Sequence, residues 1–127
     1  MNYLVNTNVF LEILLAQNQK EKAKAFLAQN IDSLFISDFS LHSIGVFLFR
    51  EKRESTFKGF IEDVVPHLQI ISLAENRYAE VLKIHHAYKL DFDDSYQVSL
   101  AIDYDLTVVT FDRDFQRVKS RNKIQLL

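Results

Sequence analysis

The sequence predicts an α/β fold: one domain over residues 1–127, built on a short, mainly parallel central sheet of four to five strands with helices on both faces. Three observations lead there. Short apolar, β-branched runs alternate along the chain with longer segments whose apolar residues recur at helical spacing, and that alternation builds a parallel sheet covered on both sides. The hydrophobic fraction is 48%, with 11 Phe and 5 Tyr in 127 residues, enough for one well-filled core and too much for a disordered chain. Only 2 Gly and 1 Pro are present, so few turns can use special backbone geometry, which disfavours a many-turned β sandwich.

The elements follow in order. Residues 3–5 read as a buried strand, and Asn6 or Thr7 as the cap of a helix carrying Val9, Phe10, Ile13 and Leu14 on one face. Residues 21–29 form a second helix through Ala23, Phe26 and Leu27. Residues 34–36 are a strand running through Ser37 and Asp38 into a helix marked by Phe39, Ser43, Val46, Phe47 and Arg50. A helix over 57–65 closes near Pro66, a strand covers 67–73, and a long helix covers 75–90. The next helix spans 90–105 with Asp91 as its N-cap. The β-branched run 107–110 is a buried strand, residues 112–118 a short helix, and 124–127 a last strand.

Cysteine is absent, which excludes a disulfide framework and a thiolate zinc site. No basic leader precedes the first strand and no apolar run approaches the roughly 20 residues that span a bilayer, so a cytoplasmic protein without membrane contact is expected. The net charge of −2 argues against nucleic-acid binding through global positive charge. Local basic groups remain, one mid-chain (Arg50, Lys52, Arg53, Lys58) and one near the end (Arg113, Arg117, Lys119, Arg121, Lys123), either of which would serve as an ordinary solvated face.

In parallel sheets the ligand site lies beyond the carboxyl ends of the strands. Three predicted strand ends run straight into polar residues: Asn6, then Ser37 and Asp38, then Asp112. Seven of the 17 acidic residues fall between 91 and 114, all of them Asp: 91, 93, 94, 103, 105, 112 and 114. Short carboxylates gathered at one edge suit Mg²⁺ or Mn²⁺. Taken singly, the same residues also suit helix capping and turns.

Three segments together resemble the PIN-domain family, and within it the VapC-type toxins: YLVNTNVFLE at 3–12, LDFDDS at 90–95, and LTVVTFDRDF at 106–115. The order and spacing of the three cover essentially the whole chain, so the resemblance implies a single PIN-like domain over 1–127. It further implies a metal-dependent endoribonuclease of a type II toxin–antitoxin pair, with Mg²⁺ or Mn²⁺ as cofactor. RNA would be the substrate, a cognate antitoxin the protein partner, and the assembly a homodimer. Carried over, Asp94 and Asp112 are metal ligands together with position 6, and Asp114 is a nearby helper, so the catalytic set is Asn6, Asp94, Asp112 and Asp114. Asp93 has the weaker claim, Thr7 and Thr110 orient ligands, and Arg113, Arg117, Lys119 and Arg121 hold the RNA backbone.

Two positions depart from the family pattern. Asn6 stands where the family has Asp, nearly the same shape with one charge fewer. Such an exchange is the one chosen to disarm a nuclease, and the reading favours that origin over a native residue. The family's Glu in the helix after the second strand is replaced near Ser43, with no Glu between Glu21 and Glu51; His42, Ser43 or Asp38 would have to act there. Gly45 within that helix suggests close packing, and the adjacent His85 and His86 read as surface or interface residues because neighbours on a helix face apart. The alternative function is a catalytically degenerate PIN-like module that binds RNA or a protein without cleavage.

Overall fold

The computed structural model describes residues 1–121 and 123–127, and the side chains of these except at 119–121. The five strands are β1 (Tyr3–Val5), β2 (Leu34–Ser37), β3 (Gln69–Ile71), β4 (Thr107–Thr110) and β5 (Ile124–Leu126). They form one sheet in the order β3-β2-β1-β4-β5, and every pairing is parallel. The helices are α1 (Thr7–Leu14), α2 (Lys20–Gln29), α3 (Asp38–Arg50), α4 (Glu54–Asp63), α5 (Tyr78–Tyr88) and α6 (Phe92–Tyr104), followed by a 3₁₀ segment Arg113–Arg121.

The pleat explains the two cores. Leu4 and Val108 point to one face, where they meet Leu90, Tyr96, Leu100 and Phe115. Val5 and Val109, one residue on, point to the other, against Val9, Phe10, Ile44 and Phe60. Each face is thus covered by its own set of helices, α5 and α6 on one and α1 to α4 on the other.

Several expected boundaries shift. The strand foreseen over 67–73 is only Gln69–Ile71, because Pro66 sits in a 3₁₀ turn, Val65–His67, that takes up the preceding residues. The helix foreseen over 57–65 is instead Glu54–Asp63. The long helix over 75–90 begins as a 3₁₀ turn at Glu75–Arg77 and ends at Tyr88, where Lys89 takes a left-handed conformation (φ 55°). Asp105 ends α6 in the same way (φ 57°). With only 2 Gly in the chain, ordinary residues fill the left-handed helix-terminating role that glycine usually takes. Gly45 lies beside α4: a Cβ built there would sit 3.4 Å from Phe57 Cε1, ordinary contact for a methyl. Among the described residues, no helix is long and apolar enough to cross a membrane.

Candidate metal-binding site at the sheet edge

The first strand sits at the centre of the sheet, and the chain leaves it on one side and returns on the other. That places the crevice between β1 and β4 at the switch of strand order, where ligands of such sheets bind. A cavity of about 250 Å³ opens there. Asn6, Thr7 and Asn8 line it from the β1–α1 junction, Ser43 from α3, Asp93, Asp94 and Gln97 from α6, and Asp112 from the end of β4.

The β1 and β4 ends are bolted together by amides and one hydroxyl. The Asn6 backbone N–H donates to Val109 O at 3.0 Å, and the Asn6 side chain caps α1 by accepting from Thr7 N at 2.7 Å. Three N–H groups converge on Thr110 Oγ1: Asn6 Nδ2 at 3.1 Å, Asn8 Nδ2 at 3.0 Å and the Asp112 backbone at 3.0 Å. Asn8 uses its other end too, accepting from Phe111 N at 3.1 Å. Position 6 is therefore an amide with both ends engaged and 7% exposed.

The opposite wall is acidic. The carboxylates of Asp91, Asp93 and Asp94 each offer an oxygen within 4.8 Å of the others. Asp91 occupies the N-cap position of α6 but makes no side-chain capping bond, so the capping role expected of it is not the one it fills. Asp94 is half-buried. Burial first, then the charges of Asp93, Asp112, Asp91 and Asp114, push its carboxyl up to about 7. A carboxyl raised by four like charges marks a place where negative charge is in excess. Asp114 is exposed; its backbone N–H donates to Asp112 Oδ1 at 2.9 Å, and its carboxylate lies 3.5 Å from Arg117.

Between these walls runs a neutral chain. Thr7 Oγ1 donates to Ser40 Oγ at 2.8 Å. Gln97 Nε2 donates to Ser40 Oγ at 2.6 Å and to Ser37 Oγ at 3.1 Å. Gln97 is 2% exposed, and its Oε1 has no hydrogen-bond partner among the described residues. An orphan acceptor beside carboxylates is a donor set of hard oxygens, which suits a hydrated divalent cation.

A second, larger groove of about 490 Å³ adjoins the cavity and shares Phe39 and Ser43 with it. Asp38 and His42 line this groove and not the acidic cavity. Asp38 accepts from Tyr96 OH at 2.8 Å, while Tyr96 OH accepts from Leu73 N at 3.0 Å; burial holds the Tyr96 phenol above its usual range. Of the residues drawn from the sequence, the structure thus brings together Asn6, Thr7, Ser43, Asp94 and Asp112, with Thr110 behind them and Asp114 at the rim. Asp93, given the weaker claim, lines the same cavity. Asn8 and Gln97 were not anticipated; a lone Gln one helical turn after Asp94 was the available signal.

The basic residues are divided. Arg113 is exposed. Arg117 donates to the Lys89 carbonyl at 2.7 Å, tying the chain after β4 to the turn before Asp91. The side chains of Lys119 and Arg121 lie outside the described residues. His85 and His86 are exposed on α5, as expected, with His85 Nδ1 2.5 Å from Leu90 O.

Comparison with curated proteins gives no match. Among solved structures the fold is similar to FitAcB from Neisseria gonorrhoeae, with TM-score 0.78 and 21% identity over 92% of this chain and 93% of that one. It is similar to VapBC2 from Rickettsia felis, bound to a DNA fragment from its promoter, with TM-score 0.75 and 18% identity over 93% of each chain. It is also similar to a toxin–antitoxin complex from Klebsiella pneumoniae, with TM-score 0.73 and 19% identity over 90% of each. The profile of the PIN domain matches residues 3–120, nearly the whole chain and all of the cavity's residues, and the chain therefore belongs to the PIN domain family.

Proposed function

We propose that the protein is a divalent-metal-dependent endoribonuclease of the VapC-type toxin class, acting in the cytoplasm under the control of a cognate antitoxin. The observation that carries this reading is the Asp94 carboxyl, held at about 7 by burial and four neighbouring carboxylates inside a cavity that Asp93 and Asp112 also line. Such an array is balanced by a cation. The toxin–antitoxin assemblies with similar folds support the class and the protein partner.

Asp94 and Asp112, with Asp93 and the Asn6 side-chain oxygen near by, would hold Mg²⁺ or Mn²⁺. When bound, the ion supplies an activated water and neutralises phosphodiester charge. The protein's own part is placement. Thr110 holds the β1 and β4 ends in register through three converging N–H groups, and the Asp112 carboxylate is oriented by the Asp114 N–H. Arg113, with Lys119 and Arg121, would meet the RNA backbone. The aromatic groove beside the cavity would receive a segment of the antitoxin, and a homodimer is the expected assembly.

A second reading, binding without turnover, is favoured by Asn6, whose amide is consumed by a cap and a cross-strand bond. The test is RNA cleavage with Mg²⁺ or Mn²⁺ by this sequence, by Asn6→Asp and by Asp112→Ala. Cleavage that Asn6→Asp enhances and Asp112→Ala abolishes supports the nuclease. Cleavage by neither of the first two, with RNA still bound, supports the binding module.

A further inference from the structure

Among the described residues lining the cavity, Gln97 carries a buried polar side-chain atom with no hydrogen-bond partner. It sits on α6 one turn after Asp94, among the buried Tyr96, Val98 and Leu100. Its Nε2 is fixed by Ser37 and Ser40, and Ser40 is fixed in turn by Thr7 Oγ1 and by its own N–H on Ser37 Oγ at 2.9 Å. The Gln97 Oε1 has no partner among the described residues, in a side chain 2% exposed. A buried acceptor without a donor costs about 1–3 kcal/mol. An apolar side chain of similar size would carry no such cost, so the orphan oxygen points to a donor that enters the cavity.

The charge inventory says which donor. Asn6 and Ser43 bring no charge to the cavity, which Asp93, Asp94 and Asp112 also line. A cation held by so few carboxylates keeps several of its waters, and those waters need acceptors behind them. We infer that Gln97 is a positioning residue whose Oε1 accepts a hydrogen bond from a water of a hydrated divalent cation held by the Asp94 side of the cavity. It takes up neutrally part of what a carboxylate at position 43 would do. The inference rests on the metal-dependent reading above.

The experiment is Mn²⁺ binding, followed by the electron paramagnetic resonance of the free ion. It compares the unaltered protein with Gln97→Met, Gln97→Glu and Asp94→Ala, with melting temperatures in EDTA recording whether each variant folds. Gln97→Met is expected to weaken Mn²⁺ binding about 10-fold, and Gln97→Glu, isosteric and charged, to tighten it. Unchanged Mn²⁺ affinity in both folded Gln97 variants, while Asp94→Ala loses binding, overturns the inference and leaves the metal reading intact. Absence of Mn²⁺ binding by the unaltered protein overturns both. If Gln97→Met does not fold, Gln97→Glu decides: affinity equal to or below that of the unaltered protein overturns the inference.

Discussion

The side-chain amide of Asn6 donates to Thr110 Oγ1 across 3.1 Å, joining the ends of two adjacent strands that lie 104 residues apart in sequence. An aspartate at position 6 would reverse the polarity of this bond, with the Thr110 hydroxyl donating. It would also add a charge facing Asp94 and Asp112. Asn6→Asp is therefore expected to lower the stability of the metal-free protein by about 1 kcal/mol while raising Mn²⁺ affinity by roughly 10-fold. Thermal melts with and without Mn²⁺ check both, and a variant that is less stable in both conditions would contradict the expectation.

Thr110 is the shared acceptor of three N–H groups. Thr110→Val keeps the shape and removes the acceptor, leaving the buried Asn6 amide and its neighbours unpaired. The expected cost is about 2–3 kcal/mol in chemical denaturation, together with loss of Mn²⁺ binding as the two strand ends drift apart. A cost under about 0.5 kcal/mol would mean that water replaces the hydroxyl.

The Asp94 carboxyl, raised from 3.8 to about 7, ties stability to pH. The folded protein holds this proton more tightly than the unfolded chain does. Below pH 4 both states are protonated and the group contributes nothing; as pH rises towards 7 the unfolded chain ionises first, and the metal-free protein loses stability. Discounted for partial exposure, the loss is about 1–2 kcal/mol between pH 4 and 7. Asp94→Asn should remove most of this slope in melting experiments. Mn²⁺ affinity should fall below pH 7, where the ion competes with the proton.

Gly45 offers a test of packing. Its built Cβ meets Phe57 in ordinary contact at 3.4 Å, so Gly45→Ala should gain helix propensity without a clash and stabilise by up to about 1 kcal/mol. Gly45→Leu should destabilise by about 1–3 kcal/mol, because the Phe57 ring of α4 occupies the space. Equilibrium unfolding of the two variants gives the comparison.

The sheet was legible because its central strands are buried on both faces and read as short apolar runs, of which Val108 and Val109, both fully buried, are the plainest. The strand ends were legible because Asn6 and Asp112 interrupt those runs with polarity. Other features were hidden for physical reasons. Gln97 owes its position to Ser37, 60 residues away, and Asn8 owes its position to Thr110, 102 residues away; no local spacing records such pairs. Asp93, given the weaker claim, lines the cavity beside Asp94. Asp91 looked like a cap by type and place, yet its carboxylate joins Asp93 and Asp94. The early end of α5 is set by a left-handed lysine, a role that its residue type does not advertise.

The central strand is made first and its neighbour β4 is made late, so the two strand ends joined at the cavity lie 104 residues apart in sequence. A ribosome that has synthesised the chain only as far as α6 has delivered Asn6 and Asp94 but neither Thr110 nor Asp112, and nothing yet holds β1 against its missing partner. Contacts of such long sequence separation form late. The acidic cavity is thus assembled only once β4 and Asp112 have emerged.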